Sequence, residues 1–148
     1  MKMTESLSMD QQRERFFSSL LNHPSTVAGA RERLRRKGLD EDAAEALVKE
    51  ALEMALLDDA LYAQLFAEGH DSWGKNRIAL ELRRRGVSAE DAETALADID
   101  EGPRAKALAD SWARSGLEER KVLARLYRRG FSSATVGALS RGERDVSW

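Results

Sequence analysis

Cysteine is absent from the 148 residues, which excludes disulfides and thiolate metal sites and suits a reducing compartment. Histidine occurs twice, as His23 and His70, and neither has the i,i+4 histidine partner of a zinc site. Both are expected on the surface or in loops, and no metal ligand set is expected. Proline is confined to Pro24 and Pro103, and aromatic residues make up only 6%. No apolar run approaches the roughly 20 residues needed to cross a bilayer, and the opening MKMTESLSMDQQRER has no signal-peptide core. A soluble cytoplasmic chain without membrane contact is expected. A strong excess of one charge is also missing. The formal net charge of -2 excludes a dedicated, strongly basic nucleic-acid binder, so any DNA contact would be local and weak.

Present instead are abundant Ala, Leu, Arg and Glu with few β-branched residues, which favours helix almost throughout. Charged residues reach 34%, above the roughly 25% of an average globular chain, so much charged helix surface is expected. Hydrophobic residues at 42% suffice for a core.

The chain repeats itself. Leu34-Arg-Arg-Lys-Gly38-Leu39-Asp40, Leu82-Arg-Arg-Arg-Gly86-Val87-Ser88 and Leu126-Tyr-Arg-Arg-Gly130-Phe131-Ser132 share one pattern, at a spacing suited to helical repeats of about three helices each. Gly38, Gly86 and Gly130 are read as caps that end one helix in the left-handed conformation. The leucine before each is placed to touch the apolar residue after it. Asp40, Ser88 and Ser132 can then accept from the free amides of the next helix, which is expected to end near Ala46-Leu47, Ala95-Leu96 or Ala138-Leu139.

The same grammar predicts helices over Met9 to Leu21, from Ser25 or Thr26 through Leu34, after the cap Asp58, from Lys75 to Arg85, from Arg104 to Arg114 and from Leu117 to Arg129. His70 to Gly74 reads as a loop, and Gly102-Pro103 as the divide before the last repeat. The expected organisation is repeats over 10–56, 57–101 and 102–142, with flexible termini at 1–9 and 143–148. Phe16, Phe17, Leu65, Phe66 and Leu126 are expected in the repeat cores. Asp58-Asp59 is read as a helix cap, because adjacent residues at a helix start point in different directions. No catalytic constellation emerges: there is no Ser-His-Asp order, phosphate-binding glycine loop or usefully spaced carboxylate pair. Neither an enzyme nor a cofactor is expected.

Leu56-Leu57-Asp58-Asp59-Ala-Leu-Tyr62-Ala63-Gln-Leu-Phe66, followed by Trp73-Gly74-Lys75-Asn-Arg77-Ile78-Ala-Leu-Glu81-Leu82-Arg-Arg-Arg-Gly86-Val87, resembles the central repeat of the RecX family. The agreement covers many ordered positions over about thirty residues and extends more weakly into both flanking repeats. Ala55 departs from it, standing where the family commonly has glycine. The resemblance implies an all-α chain of three tandem three-helix repeats in an elongated curved array. It also implies a non-enzymatic regulator that lies along the RecA recombinase filament and restrains ATP hydrolysis, strand exchange and filament growth; a monomer is expected.

The basic groups Arg35-Arg36-Lys37, Arg83-Arg84-Arg85 and Arg128-Arg129 are candidates for contact with RecA or DNA phosphates, although the helix dipole alone also favours cations in a last turn. Lys75 and Arg77 stand in a first turn, where the dipole opposes them, and this favours a partner contact. Trp73 is either an exposed anchor or a lid over the core, with the lid favoured. The alternative function is a helix-turn-helix transcription regulator, against which the turn occurs three times and no set of base-reading side chains stands apart.

Overall fold

The computed structural model describes residues 8–140. Among them are nine α-helices and no strand: α1 Met9–Asn22, α2 Val27–Arg36, α3 Glu41–Glu53, α4 Asp59–Gly69, α5 Lys75–Arg84, α6 Ala89–Ala97, α7 Glu101–Arg114, α8 Glu119–Arg128 and α9 Ser133–Ser140. They form three sets of three, with Gly38, Gly86 and Gly130 each between the second and third helix of a set. This is an all-α helical repeat fold.

Helix starts are set by short polar side chains that accept from otherwise orphaned amides. Thr26 accepts from the Gly29 amide at 3.0 Å, Asp40 from Ala43 at 2.8 Å, Asp58 from Leu61 at 3.1 Å, Ser88 from Asp91 at 3.1 Å and Ser132 from Thr135 at 3.2 Å. Ser8 and Gln11 form a reciprocal capping box at α1. Of the termini expected to be flexible, only Ser8 and Met9 are described, and both belong to this ordered start; the rest lie outside the described residues.

Helix ends follow the glycine turns. After α2 the Leu39 amide donates to Leu34 O at 3.3 Å and the Gly38 amide to Arg35 O at 3.0 Å. After α8 Phe131 donates to Leu126 O at 3.1 Å and Gly130 to Tyr127 O at 3.0 Å. These are Schellman pairs, and φ at both glycines is close to 90°. The same closure occurs at Gly116, where Leu117 donates to Trp112 O at 3.0 Å. It occurs again at Ala55, with φ 58° and the Leu56 amide on Ala51 O at 2.9 Å.

Three expectations are corrected. Ala46-Leu47 lies inside α3, which runs on to Glu53 because its closing turn is at Ala55. Helix α7 starts at Glu101 rather than Arg104, since Asp100 accepts from the Gly102 amide at 3.1 Å and Pro103 is tolerated in a first turn. Leu65 is 55% exposed and Leu61 49%; α4 buries Ala63, Phe66 and Ala67 instead.

The described chain divides into two compact units, one made of the residues up to Tyr62 with Arg85–Val87, the other of Ala63–Arg84 with the residues from Ser88 onward. In the first, Phe16, Phe17 and Leu20 of α1, Ala30 and Leu34 of α2, and Leu47, Val48 and Ala51 of α3 pack with Leu57 in one core. In the second, Ala105, Ala109, Val122, Leu126, Phe131, Val136 and Leu139 form a core, and Ile78 and Leu82 are also fully buried. Removing such side chains from water is the main stabilising term of each unit, at about 25 cal/mol per Å² of apolar surface.

Candidate partner-binding surface

Each unit contains a joint in which a glycine turn meets the start of a second helix. In the first unit the buried Thr26 donates its hydroxyl to Arg85 O at 2.7 Å, and Asp59 accepts from the Val27 amide at 2.9 Å. A Cβ at Gly86 would overlap the Ala28 side chain. In the second unit the Gly74 amide donates to Arg129 O at 2.8 Å and the Asn76 amide to Gly130 O at 3.1 Å. A Cβ at Gly130 would overlap Arg77, and one at Gly74 would overlap the Gly130–Phe131 backbone.

Glu101 closes the second joint. Its side chain accepts from the Lys75 amide at 3.0 Å, the Ser132 amide at 3.1 Å and the Thr135 hydroxyl at 3.0 Å, with the residue only 7% exposed. Burial raises the carboxyl pKa, but donation from Lys75, Ser132 and Thr135 outweighs it and holds the group below the usual carboxylate range. One carboxylate therefore serves the first amide of α5 and the cap of α9. The negative charge at the start of α5 also offsets the dipole that Lys75 and Arg77 oppose.

Asp59 and Glu101 hold matching positions, each the first residue of the first helix in its set, and each takes the first amide of the preceding set's second helix. Sequence reasoning missed both roles. Asp59, expected with Asp58 to cap its own helix, also accepts from the Val27 amide of α2. Glu101 was not singled out. The available signal was an acidic residue recurring at the same repeat position.

The candidate cations fall into two groups. Arg35 and Arg36 both pair with Glu32, at 2.9 and 3.3 Å, and Arg84 meets Glu81 at 3.8 Å. Arg85 donates to the Tyr62 hydroxyl at 2.6 Å. Nearby in the first unit, Arg31 pairs with Glu45 at 2.6 Å and Arg13 with Glu50, and these guanidinium bonds hold both carboxyls below their ordinary range. Much of the first unit's basic surface is thus already met by its own carboxylates. Lys37, Arg83 and Arg128 are exposed.

Around the second joint the arginines lie on indoles. The Arg77 guanidinium sits 3.9 Å from the Trp73 ring, and Arg125 and Arg129 sit 4.9 and 5.2 Å from Trp112. Trp73 is half-buried, edge-on to Phe66 at 5.9 Å and tilted against His70 at 4.3 Å. His70, expected as a plain surface or loop residue, stands in the turn after α4 but is half-buried, stacked on Phe66 at 4.0 Å, with Nδ1 2.8 Å from Phe66 O. Trp73 thus touches both rings of that aromatic pair and carries Arg77 over its own ring. Among the described residues no three His, Asp or Glu side chains converge as a metal site.

A family model described as the second three-helix domain of RecX matches residues 58–96. A protein named Regulatory protein RecX from Mycobacteroides abscessus is 37% identical over 84 residues, covering 55% of this chain and 41% of that protein. One of the same name from Amycolatopsis mediterranei is 38% identical over 87 residues, covering 57% of this chain and 50% of its own length. Another, from Streptomyces coelicolor, is 33% identical over 125 residues, covering 76% and 66%. The chain thus spans about half the length of the first two relatives. In fold it is similar to the crystal structure of RecX from Lactobacillus salivarius, with a TM-score of 0.76 at 20% identity over 89% of this chain and 96% of that one.

Proposed function

This chain belongs to the RecX family of regulatory proteins, and we propose that it binds filaments of RecA recombinase on DNA and restrains their ATP hydrolysis, strand exchange and growth. The observation that carries the proposal is the agreement of residues 58–96 with the second three-helix domain of that family. That segment holds Trp73, Lys75, Arg77 and the Arg83–Arg85 turn. Binding alone produces the effect in this reading, with no bond made or broken by the chain, and the chain acts as a cytoplasmic monomer. Successive repeats, at 10–56, 57–101 and 102–142, contact successive RecA protomers. Stacked helical units supply such an extended surface, and linked weak contacts gain affinity by raising the effective concentration of each next one. Direct DNA contact is secondary, in keeping with the net charge of -2.

The test is co-sedimentation with RecA assembled on single-stranded DNA. Replacing Lys75, Arg77, Arg84 and Arg85 together by alanine is expected to lower filament binding at least tenfold at unchanged helix content. Unchanged binding would remove these residues from the interface. Tight, sequence-selective binding of bare duplex with no filament association would move the chain to the helix-turn-helix reading.

A further inference from the structure

We infer that Arg125 and Arg129, held over the Trp112 ring, form a receptor for the carboxylates of an acidic segment on a protein partner, with Arg77 over Trp73 as its neighbour across the second joint. The inference deepens the proposed function and rests on its reading of the chain as a protein-binding regulator.

The contrast between two sets of arginines carries the argument, one met by the chain's own carboxylates in both units, the other lying over indoles without one. In the first unit Arg13, Arg31, Arg35 and Arg36 direct their guanidinium groups at Glu50, Glu45 and Glu32. Arg77, Arg125 and Arg129 have no carboxylate at ion-pair distance among the described residues; what each meets is an indole face. A guanidinium lying on an aromatic ring loses rotamer freedom while its N–H donors, which lie in its own plane, stay available. That is the arrangement for two-point recognition of a planar carboxylate.

The positions are also fixed by the fold. Trp112 belongs to α7, Arg125 to α8, and Arg129 follows α8 with its carbonyl taken by the Gly74 amide. The same joint brings Gly130 against Arg77. Two indole–guanidinium groups thus flank one backbone junction. Tryptophan and arginine are the residue types that dominate the energy of protein interfaces.

A nucleic-acid strand fits less well. Neutralising a phosphate lattice takes a run of cations, roughly 6–10 in strong binders. Here three guanidiniums stand at two points, and α8 opens with Glu118 and Glu119. A short acidic peptide needs only the points.

The test is a titration of the full chain, labelled for NMR at the arginine Nε–H groups, with an acetylated, amidated hexaglutamate peptide and, separately, with a 12-residue oligothymidylate. Expected are saturable shifts of Arg125, Arg129 and Arg77, with Arg13 and Arg31 unmoved because Glu50 and Glu45 already hold them. Replacing Arg125 and Arg129 together by lysine keeps the charge but removes the planar fork, and is expected to weaken peptide binding at least tenfold at unchanged helix content. The inference is overturned by peptide shifts spread equally over all arginines, by no shifts, by undiminished binding in the lysine variant, or by oligothymidylate acting at lower concentration than the peptide. Peptide binding without filament binding would leave this receptor standing and overturn the proposed target instead.

Discussion

Ala55 is the one non-glycine residue with positive φ among those described, at 58°. It closes α3 with the hydrogen bonds that Gly116 and Gly130 make elsewhere. A left-handed alanine costs about 1–2 kcal/mol, and glycine in its place loses part of that gain to the greater freedom of the unfolded chain. Ala55→Gly is therefore expected to raise stability by about 0.5–1 kcal/mol in urea unfolding; a decrease would show that the alanine side chain matters for packing. Gly130 is the reverse case, with φ 91° and its missing Cβ occupied by Arg77. Gly130→Ala combines backbone strain with overpacking and is expected to cost about 2–4 kcal/mol, measured the same way. The glycine turns were legible in the sequence because a basic run, a glycine and an apolar residue recur three times. Leu65 was not. Leu61, Tyr62, Leu65 and Phe66 all fit a helical period, and only the packed fold reveals that α4 turns Ala63, Phe66 and Ala67 inward.

Between elements, the joints are what local reasoning could not reach. Capping residues announce themselves by their place beside their own helix, as Asp40 and Ser88 do. Asp59 and Glu101 act on helices 32 and 26 residues away in sequence. A carboxylate at a helix start already has a sufficient local explanation in the dipole, which conceals the second role. Glu101→Ala strands the Lys75 and Ser132 amides and is expected to cost at least about 2 kcal/mol. The pH dependence follows from the sign of the pKa shift. The folded-state pKa lies below its ordinary value of 4.5, so the stabilisation is full above that value and is lost as pH falls through the lower, folded value. The difference in unfolding free energy between the native chain and Glu101→Gln is thus expected to be flat from pH 7 to about 5 and to shrink below the ordinary carboxylate range. A difference that grows on acidification would contradict the assigned hydrogen bonds.

For the whole molecule, the balance of 24 basic and 26 acidic residues says little until the pairs are known. Pairing separates the basic positions that sequence treats alike: Arg35, Arg36 and Arg84 meet acids three or four residues earlier, whereas Arg77, Arg125 and Arg129 lie on tryptophans. The i,i+3 and i,i+4 acids were legible in principle. The stacking on Trp112 was not, because Arg125 and Arg129 belong to a different stretch of chain. Filament binding carried by few, well-placed contacts is expected to fall only modestly between 50 and 200 mM salt, far less than the thousandfold or greater loss of a protein held by many phosphate contacts. Regulation of the filament is tested by ATP hydrolysis by RecA from the same organism on single-stranded DNA, followed as the chain is added. Inhibition is expected at less than one chain per RecA, weakened at least tenfold by alanine at Lys75, Arg77, Arg84 and Arg85. Hydrolysis unchanged at a molar excess of the folded chain would contradict it.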